Sequence, residues 1–216
     1  MILYLSSHKL GRRTEELKSF IKEIGGNKIL FIANARDGKT DKEKTAQVIK
    51  DDMKELESLG YKVTLLDLKN YFGRTDDLWS CIQNFNGFYV IGGTTLVLRR
   101  AFALSGFDKI LLNLWHNQKY LYIGYSAGIC VLSENLSLST IDKNKEINFN
   151  PYNDDKNLIL SGVGYFHNCW LPHYKSQNIG DVIEKRIKYA KENNIPYETI
   201  QDGEVKIFYS HAWQKR

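Results

Sequence analysis

One turn in the middle of the chain constrains the fold most, because it joins a buried strand to a buried helix without a linker. Residues 120–132 read Tyr-Leu-Tyr-Ile-Gly-Tyr-Ser-Ala-Gly-Ile-Cys-Val-Leu, and the turn places Ser126 between Gly124 and Gly128. Glycines at these positions leave room for neighbouring backbone where a Cβ would clash. The G-x-S-x-G spacing therefore predicts a nucleophile elbow, in which a serine hydroxyl is held out towards a substrate.

A simpler interpretation of the same turn is open at this point. Serine is favoured as the N-cap of a helix for reasons unrelated to catalysis, so Ser126 could merely begin the helix. If the turn is an elbow, the first free N–H groups of that helix lie beside Ser126 and could stabilise a developing oxyanion.

The first 133 residues alternate apolar runs of strand length with longer amphipathic stretches, a pattern typical of βαβ units and a largely parallel sheet. We predict strands at 2–5, 28–33, 62–66 and 87–91 and from Tyr120, and helices at 14–24, 41–59, 76–83, 96–103 and 107–115. The glycines that follow the fourth and fifth strands would then meet at the carboxyl edge of one sheet, where open α/β sheets bind ligands.

The pattern is weaker after Ser133. Residues 134–156 are polar and are predicted to form a long loop, after which strand-like residues resume over 158–166. A helix is predicted over 180–192, and the last residues, 211–216, are predicted to be a polar tail. Strands over 197–200 and 205–209 are predicted to pair as a hairpin, because the Asp202-Gly203 dipeptide between them suits a type I′ turn.

Length and composition exclude several classes of protein. The 216 residues fit one domain, 1–216, and the 43% apolar and 25% charged residues are typical of a globular protein. The 30 Lys and Arg residues are interspersed with 25 Asp and Glu residues, which favours a solvated surface over a nucleic-acid-binding stripe. No segment approaches the ~20 apolar residues of a membrane span. Three widely spaced cysteines favour a reducing compartment, so we expect a cytoplasmic protein.

A serine nucleophile needs a base to accept its proton, and five histidines are available. They are His8, His116, His167, His173 and His211. His173 is the best candidate, because Pro172 fixes the backbone just before it and a stiffened loop could present the ring rigidly. The alternative is a structural histidine that hydrogen-bonds to nearby carbonyl groups.

A carboxylate usually orients such a base. Asp202 is one candidate, and Glu204 and Asp142 are the others. With Asp202 the chain order is Ser…His…Asp, which differs from the Ser…Asp/Glu…His order of α/β-hydrolases. An α/β-hydrolase would need an acid within 142–155 followed by His167 or His173.

Other patterns in the sequence predict less. Gly92-Gly93-Thr94-Thr95 follows a buried strand and precedes a helix, so its amides could complete an oxyanion hole or hold a phosphate, although no G-x-G-x-x-G motif accompanies it. The trio His167, Cys169 and His173 has no recognised zinc spacing. The sequence therefore predicts neither a metal nor a cofactor.

Five segments occur in an order that is similar to a known family. They are Gly-Gly-Thr-Thr at 92–95, Ile-Gly-Tyr-Ser-Ala-Gly at 123–128, Leu-Pro-His-Tyr at 171–174, the helix from Gly180, and Ile-Gln-Asp-Gly at 200–203. Together they resemble the peptidase E family of serine peptidases, over most of the chain. The resemblance implies a flavodoxin-like, class I glutamine-amidotransferase-like α/β fold, a three-layer sandwich with a mainly parallel central sheet. Characterised members act as dipeptidases on peptides that begin with aspartate, and cyanophycinases are their relatives.

The resemblance also implies roles for individual residues. Ser126 is expected to be the nucleophile, His173 the base and Asp202 the acidic third member. The amides of Gly93 and Ala127 are expected to form the oxyanion hole.

Two positions depart from the family pattern. The family usually has Gly-Gly-Asn-Thr where this chain has Thr94, and Ile183 replaces the arginine associated with recognition of aspartate. Hydrolysis is compatible with both changes, whereas specificity for peptides beginning with aspartate is put in doubt.

The sequence thus predicts a serine peptidase that hydrolyses short peptides as a dipeptidase or exopeptidase does. The alternative is a non-catalytic or divergent member of the same fold that binds a small molecule. Amidotransferase chemistry is disfavoured, because its elbow normally carries cysteine where this chain has Ser126. A distance above about 4 Å between Ser126 Oγ and the ring nitrogens of His173 would favour the binding protein.

Overall fold

A six-stranded sheet lies at the centre of the computed structural model, which describes residues 1–141, 150–153 and 157–210. The strands in these ranges are β1 (Ile2–Ser6), β2 (Lys28–Ile32), β3 (Lys62–Leu66), β4 (Gly87–Val90), β5 (Leu121–Tyr125), β6 (Cys169–Tyr174), β7 (Tyr197–Gln201) and β8 (Val205–Tyr209). The α-helices there are α1 (Thr14–Glu23), α2 (Lys42–Ser58), α3 (Thr75–Ile82), α4 (Thr95–Ser105), α5 (Phe107–Leu114), α6 (Ala127–Cys130) and α7 (Gly180–Glu192).

The central sheet is mainly parallel. Its strand order is β3-β2-β4-β5-β1-β8, and only the last pair is antiparallel. Ile2 of β1, for example, lies opposite Leu121 of β5 on one side and opposite Tyr209 of β8 on the other. The strands predicted in the first 133 residues all form, and the predicted α/β class is confirmed.

Helices cover both faces of this sheet. Leu3 and Leu5 of β1 pack in one core cluster with residues of α3, α4 and α5, whereas Ile2 and Tyr4 pack in a second cluster with residues of α1 and α2. Successive side chains of a strand point to opposite faces, so the sheet is the middle layer of the predicted three-layer sandwich.

The predicted hairpin over 197–200 and 205–209 is wrong. β7 pairs in parallel with β6, and α7 forms the crossover between them, while β8 joins the edge of the central sheet beside β1. The Asp-Gly turn does form, since the Glu204 N–H donates to the Gln201 carbonyl (2.9 Å). It carries the chain from the small β6–β7 sheet to the central sheet instead of folding it back on itself. A two-residue turn is typical of a hairpin, and a parallel pairing made through a distant helix leaves no local signal.

The segment 158–166, which the sequence predicts to be strand-like, does not form a regular strand. It pairs through two isolated bridges, from Ser161 to Asn135 and from Phe166 to Ser133. Arg99 of α4 donates a hydrogen bond from its Nε to the Ser161 carbonyl (2.6 Å). Of the predicted loop and tail, residues 142–149, 154–156 and 211–216 lie outside the described residues. No helix in the described ranges is long and apolar enough to cross a bilayer.

Candidate active site

Ser126 lies in a tight turn between β5 and α6, and its backbone conformation is unusual. Its φ is 52° and its ψ is −112°. A non-glycine residue with positive φ is uncommon, and such strained residues cluster at functional sites. The hydroxyl makes no capping hydrogen bond to α6, which is only four residues long. The structure therefore does not support Ser126 as a simple helix cap.

Glycines around Ser126 allow the backbone to pack closely, as the sequence predicts. A Cβ on Gly128 would lie 2.3 Å from the carbonyl oxygen of Val90, and one on Gly92 would lie 2.9 Å from the Cβ of Ser126. A Cβ on Gly124 would lie 2.6 Å from the ring of Tyr122. These contacts are too short for any side chain, so steric packing fixes the turn.

His173 lies beside Ser126, at the end of β6 rather than in a loop. Its Nε2 is 3.0 Å from Ser126 Oγ, well below the distance of about 4 Å above which a binding protein would be favoured. Its Nδ1 is 2.8 Å from Asp202 Oδ1. The φ of His173 is 64°, so this residue is also held in the left-handed region. Three residues that are far apart in the chain thus form a continuous hydrogen-bonded series.

Ser7 forms hydrogen bonds with both His173 and Asp202, and it is not among the site residues predicted from the sequence. Its fully buried hydroxyl donates to Asp202 Oδ1 (2.7 Å) and accepts a hydrogen bond from the backbone N–H of His173 (2.8 Å). Ser7 follows β1 directly, and β1 lies next to β5 in the central sheet. The polar run Ser-Ser-His-Lys at 6–9, immediately after a buried strand, was the signal that could have revealed it.

The rival acids are placed differently. The Glu204 carboxylate accepts a hydrogen bond from the Gln201 N–H (2.8 Å) and so stabilises its own turn. Asp142 lies outside the described residues, as does much of the 142–155 segment that an α/β-hydrolase order would need.

Among the other histidines, His8 alone lines the cleft at Ser126 within the described chain. Its ring centroid is 5.9 Å from that of His173. His167 is exposed and contacts Glu134 (2.9 Å), and His116 is also exposed. His211 is not among the described residues.

The charges of the site suit proton transfer from serine. Burial lowers the pKa of His173 below the ordinary histidine value, and the Asp202 carboxylate offsets only part of that effect. The ring is therefore neutral near pH 7 and can accept a proton. Burial by itself would raise the pKa of Asp202, but hydrogen bonds from Ser7 and His173 outweigh it and hold that pKa below its usual range. Asp202 is therefore ionised.

The two amides expected to bind an oxyanion are available. Among the described residues, neither the Gly93 nor the Ala127 N–H donates to a protein acceptor. Gly93 packs directly on the loop after β2, because a Cβ there would lie 2.3 Å from the carbonyl oxygen of Ala35. The Thr94 N–H is already used, since it donates to that same carbonyl (2.7 Å).

The site opens into a cleft of about 630 Å³ with a basic lining. Its cationic side chains are Lys9, Arg36, Lys39 and Lys44, and its acidic ones are Asp41 and Asp202. The Nε of Arg36 is buried and has no hydrogen-bond partner in the described part of the chain. Ile183 does not line the cleft, because its side chain is 1% exposed in the cluster between α7 and β6. The cleft therefore favours an anionic group on the substrate.

Tyr125, the residue before Ser126, is anchored to α2. The Tyr125 hydroxyl donates to Asp52 Oδ2 (2.6 Å), and Asp52 is fully buried on α2. Lys9 Nζ lies 3.5 Å from the other carboxylate oxygen. This contact ties α2 to the elbow and to the loop after β1.

Comparison with known proteins agrees with this fold. The family model of peptidase family S51 matches residues 2–208. No curated protein sequence gives a significant match. A protein from Listeria monocytogenes EGD-e, provisionally assigned as peptidase E, has a crystal structure with a TM-score of 0.71 and 20% identity, covering 96% of this chain and 98% of that one.

A second structure, of a peptidase from an acI-B1 Actinobacterium, has a TM-score of 0.66 and 18% identity, covering 96% of this chain and 82% of that one. At these identities the structural likeness bears on the fold alone. The family model spans nearly the whole chain and confirms the resemblance found in the sequence. The chain therefore belongs to peptidase family S51, and so to the serine peptidases.

Proposed function

We propose that the protein hydrolyses short peptides with Ser126 as nucleophile, His173 as general base and Asp202 as the acid that orients the base. One observation carries the proposal, the series of hydrogen bonds from Ser126 Oγ to His173 (3.0 Å) and from His173 to Asp202 (2.8 Å). This is the geometry that an activated serine requires.

Each residue has a defined task in the proposed reaction. Ser126 Oγ attacks the scissile carbonyl carbon while His173 Nε2 takes its proton, and Asp202 stabilises the imidazolium through Nδ1–H. The amides of Gly93 and Ala127 donate to the oxyanion of the tetrahedral intermediate. His173 then returns the proton to the leaving amine, and a water molecule, activated by the same ring, hydrolyses the acyl-enzyme.

The proposed substrate is a short peptide that carries a carboxylate near the scissile bond. The basic lining of the cleft supports this assignment. Arg36 is the cationic residue that we expect to bind the carboxylate, because its buried Nε has no hydrogen-bond partner in the described part of the chain. Either a free C-terminus or an acidic side chain would supply the carboxylate. Because Ile183 is buried away from the cleft, any recognition of aspartate in this chain rests on other residues.

A panel of dipeptides with varied N-terminal residues, read by the amino acids released, tests catalysis and specificity together. The Ser126→Ala variant should lose roughly 10⁵- to 10⁶-fold in turnover, by analogy with serine knockouts in other serine peptidases. Ser80→Ala, on the exposed surface of α3, is the control and should cleave at the unmodified rate. Comparable hydrolysis by Ser126→Ala would refute the proposal, and binding without cleavage by the unmodified protein would favour the binding-protein alternative.

A further inference from the structure

We infer that Ser7 is a positioning residue that holds the base and the acid of the site in register with the nucleophile; this inference rests on the proposed function. Ser126 directly follows β5 of the central sheet, whereas His173 lies in β6 of the small sheet and Asp202 lies in the turn that follows β7. Ser7 follows β1 of the central sheet and contacts both members of the other group.

The hydrogen bonds of Ser7 form a closed ring with the pair it supports. Its hydroxyl donates to Asp202 Oδ1, the same oxygen that lies against His173 Nδ1, and accepts from the His173 backbone N–H. One bond fixes the carboxylate and the other fixes the main chain of a residue whose φ is 64°. Since Ser7 is fully buried, no bulk water can take over either contact.

Ser7 also moderates the charge that reaches the base. Its hydrogen bond lowers the pKa of Asp202. The oxygen that accepts this bond, Oδ1, is also the one that lies against His173 Nδ1 and would stabilise the imidazolium. Without that donor, more of the carboxylate charge is directed to His173, and the pKa of His173 should rise. In the described part of the chain, the other charged or titratable groups that act on His173 are His8, after β1, and Arg186, on α7, and both lower its pKa.

The test compares Ser7→Ala with Ser6→Ala in the full chain. Ser7→Ala should reduce kcat/KM by roughly 10- to 100-fold, mostly through kcat, because the buried hydrogen bond to the Asp202 carboxylate is lost together with the one from the His173 N–H. The acid limb of its pH profile should also move to higher pH. In the unmodified protein that limb should lie below the ordinary histidine pKa of about 6.5.

Ser6 is the matched control, because it is equally buried at the preceding position but donates to the Lys9 carbonyl rather than to the site. Ser6→Ala should leave the acid limb unmoved, so a shift that both variants share would reduce Ser7 to a structural role and overturn the inference. An unchanged kcat and pH profile in Ser7→Ala would do the same. Full activity in Ser126→Ala would instead overturn the proposed function, and the two failures are therefore distinguishable.

Discussion

The two halves of the candidate site are held in place by different forces. The elbow half is fixed by sterics, since Gly128 and Gly92 allow approaches that no side chain would permit. The half that carries His173 and Asp202 lies on a separate small sheet. Trp170 and Ile200 of that sheet pack in the same core cluster as β1, whereas His173 and Asp202 themselves are held by the polar contacts of Ser7. Steric packing thus dominates around Ser126, and hydrogen bonding dominates around His173 and Asp202.

This difference implies different sensitivities. A close-packed turn responds to changes of volume and little to pH. The tyrosine hydroxyls around it, that of Tyr122 on the Gly128 carbonyl and that of Tyr125 on Asp52, stay protonated because burial raises the pKa of both groups. A hydrogen-bonded pair responds to changes of charge and tautomer at nearly constant volume. Substitutions chosen for volume or for charge should therefore damage one half and spare the other.

Among the substitutions that distinguish the two halves, the largest effect is expected for Asp202→Asn, which keeps the volume of the side chain and removes its charge. The amide can donate to His173 Nδ1 and so favours the tautomer whose Nε2 carries a hydrogen and cannot accept the Ser126 proton. Turnover should fall about 10⁴-fold, as for the same change in other serine peptidases, with little change in thermal stability. Steady-state kinetics and a thermal melt measure the two quantities.

The rival acids provide the controls for that variant. Glu204→Gln and Asp142→Asn should each retain turnover within a few-fold of the unmodified protein, since these changes leave the Asp202 carboxylate, to which the proposal assigns the role of the acid, intact. A loss in either variant as large as that of Asp202→Asn would transfer the role of the acid to that residue.

An intermediate effect is expected for Gly128→Ala, which tests the steric half. The added Cβ would lie 2.3 Å from the Val90 carbonyl oxygen, so the backbone of β4 or of α6 must move. Overpacking of this kind should lower the free energy of unfolding by about 1–3 kcal/mol and displace Ser126. Gly180→Ala is the control, because its Cβ would meet nothing closer than 3.7 Å. Denaturant melts that showed equal stability for both variants would contradict the steric account.

The smallest effect is expected at the basic wall of the cleft and separates binding from chemistry. Arg36→Gln should raise KM roughly 10- to 100-fold for peptides with a carboxylate near the scissile bond and leave kcat nearly unchanged, because a charge-assisted hydrogen bond to the substrate is lost. Amidated or neutral peptides should show no such change.

Arg74→Gln, outside the cleft and paired with Asp77, is the control for the loss of a cation. A fall in kcat with constant KM in Arg36→Gln would assign Arg36 to catalysis instead of to substrate binding. Comparison of C-terminally amidated peptides with acidic ones shows which carboxylate Arg36 contacts.

Local patterns sufficed to predict the elbow half of the site. A strand of continuous apolar residues, a G-x-S-x-G turn and a helix are neighbours in the chain, so their spacing alone defines their geometry. For the base-and-acid half, the residues alone favour His173 among five histidines but leave three acids open, and only the family resemblance singles out Asp202. His173 and Asp202 are 29 residues apart, and their approach depends on the parallel pairing of β6 with β7. The sequence instead predicts that residues 197–200 pair with 205–209 as a hairpin.

The support around the site escaped prediction for a related reason. Ser7, His8 and Arg36 come from loops after β1 and β2, and they converge on Ser126 only because those strands share the carboxyl edge of one sheet with β5. The register of that sheet decides which loop residues meet, and register is not readable from strands that are apolar throughout.

The turn between β7 and β8 belongs to neither sheet, because each of its flanking strands pairs with a different one. An extra residue in this turn would leave both pairings intact and yet carry Asp202 away from His173. Homologous chains in which this turn, residues 202–204, differs in length would thus keep the architecture and lose the chemistry. The length of this turn, as well as the acid at its first position, is a feature by which active and inactive relatives of this protein should be told apart.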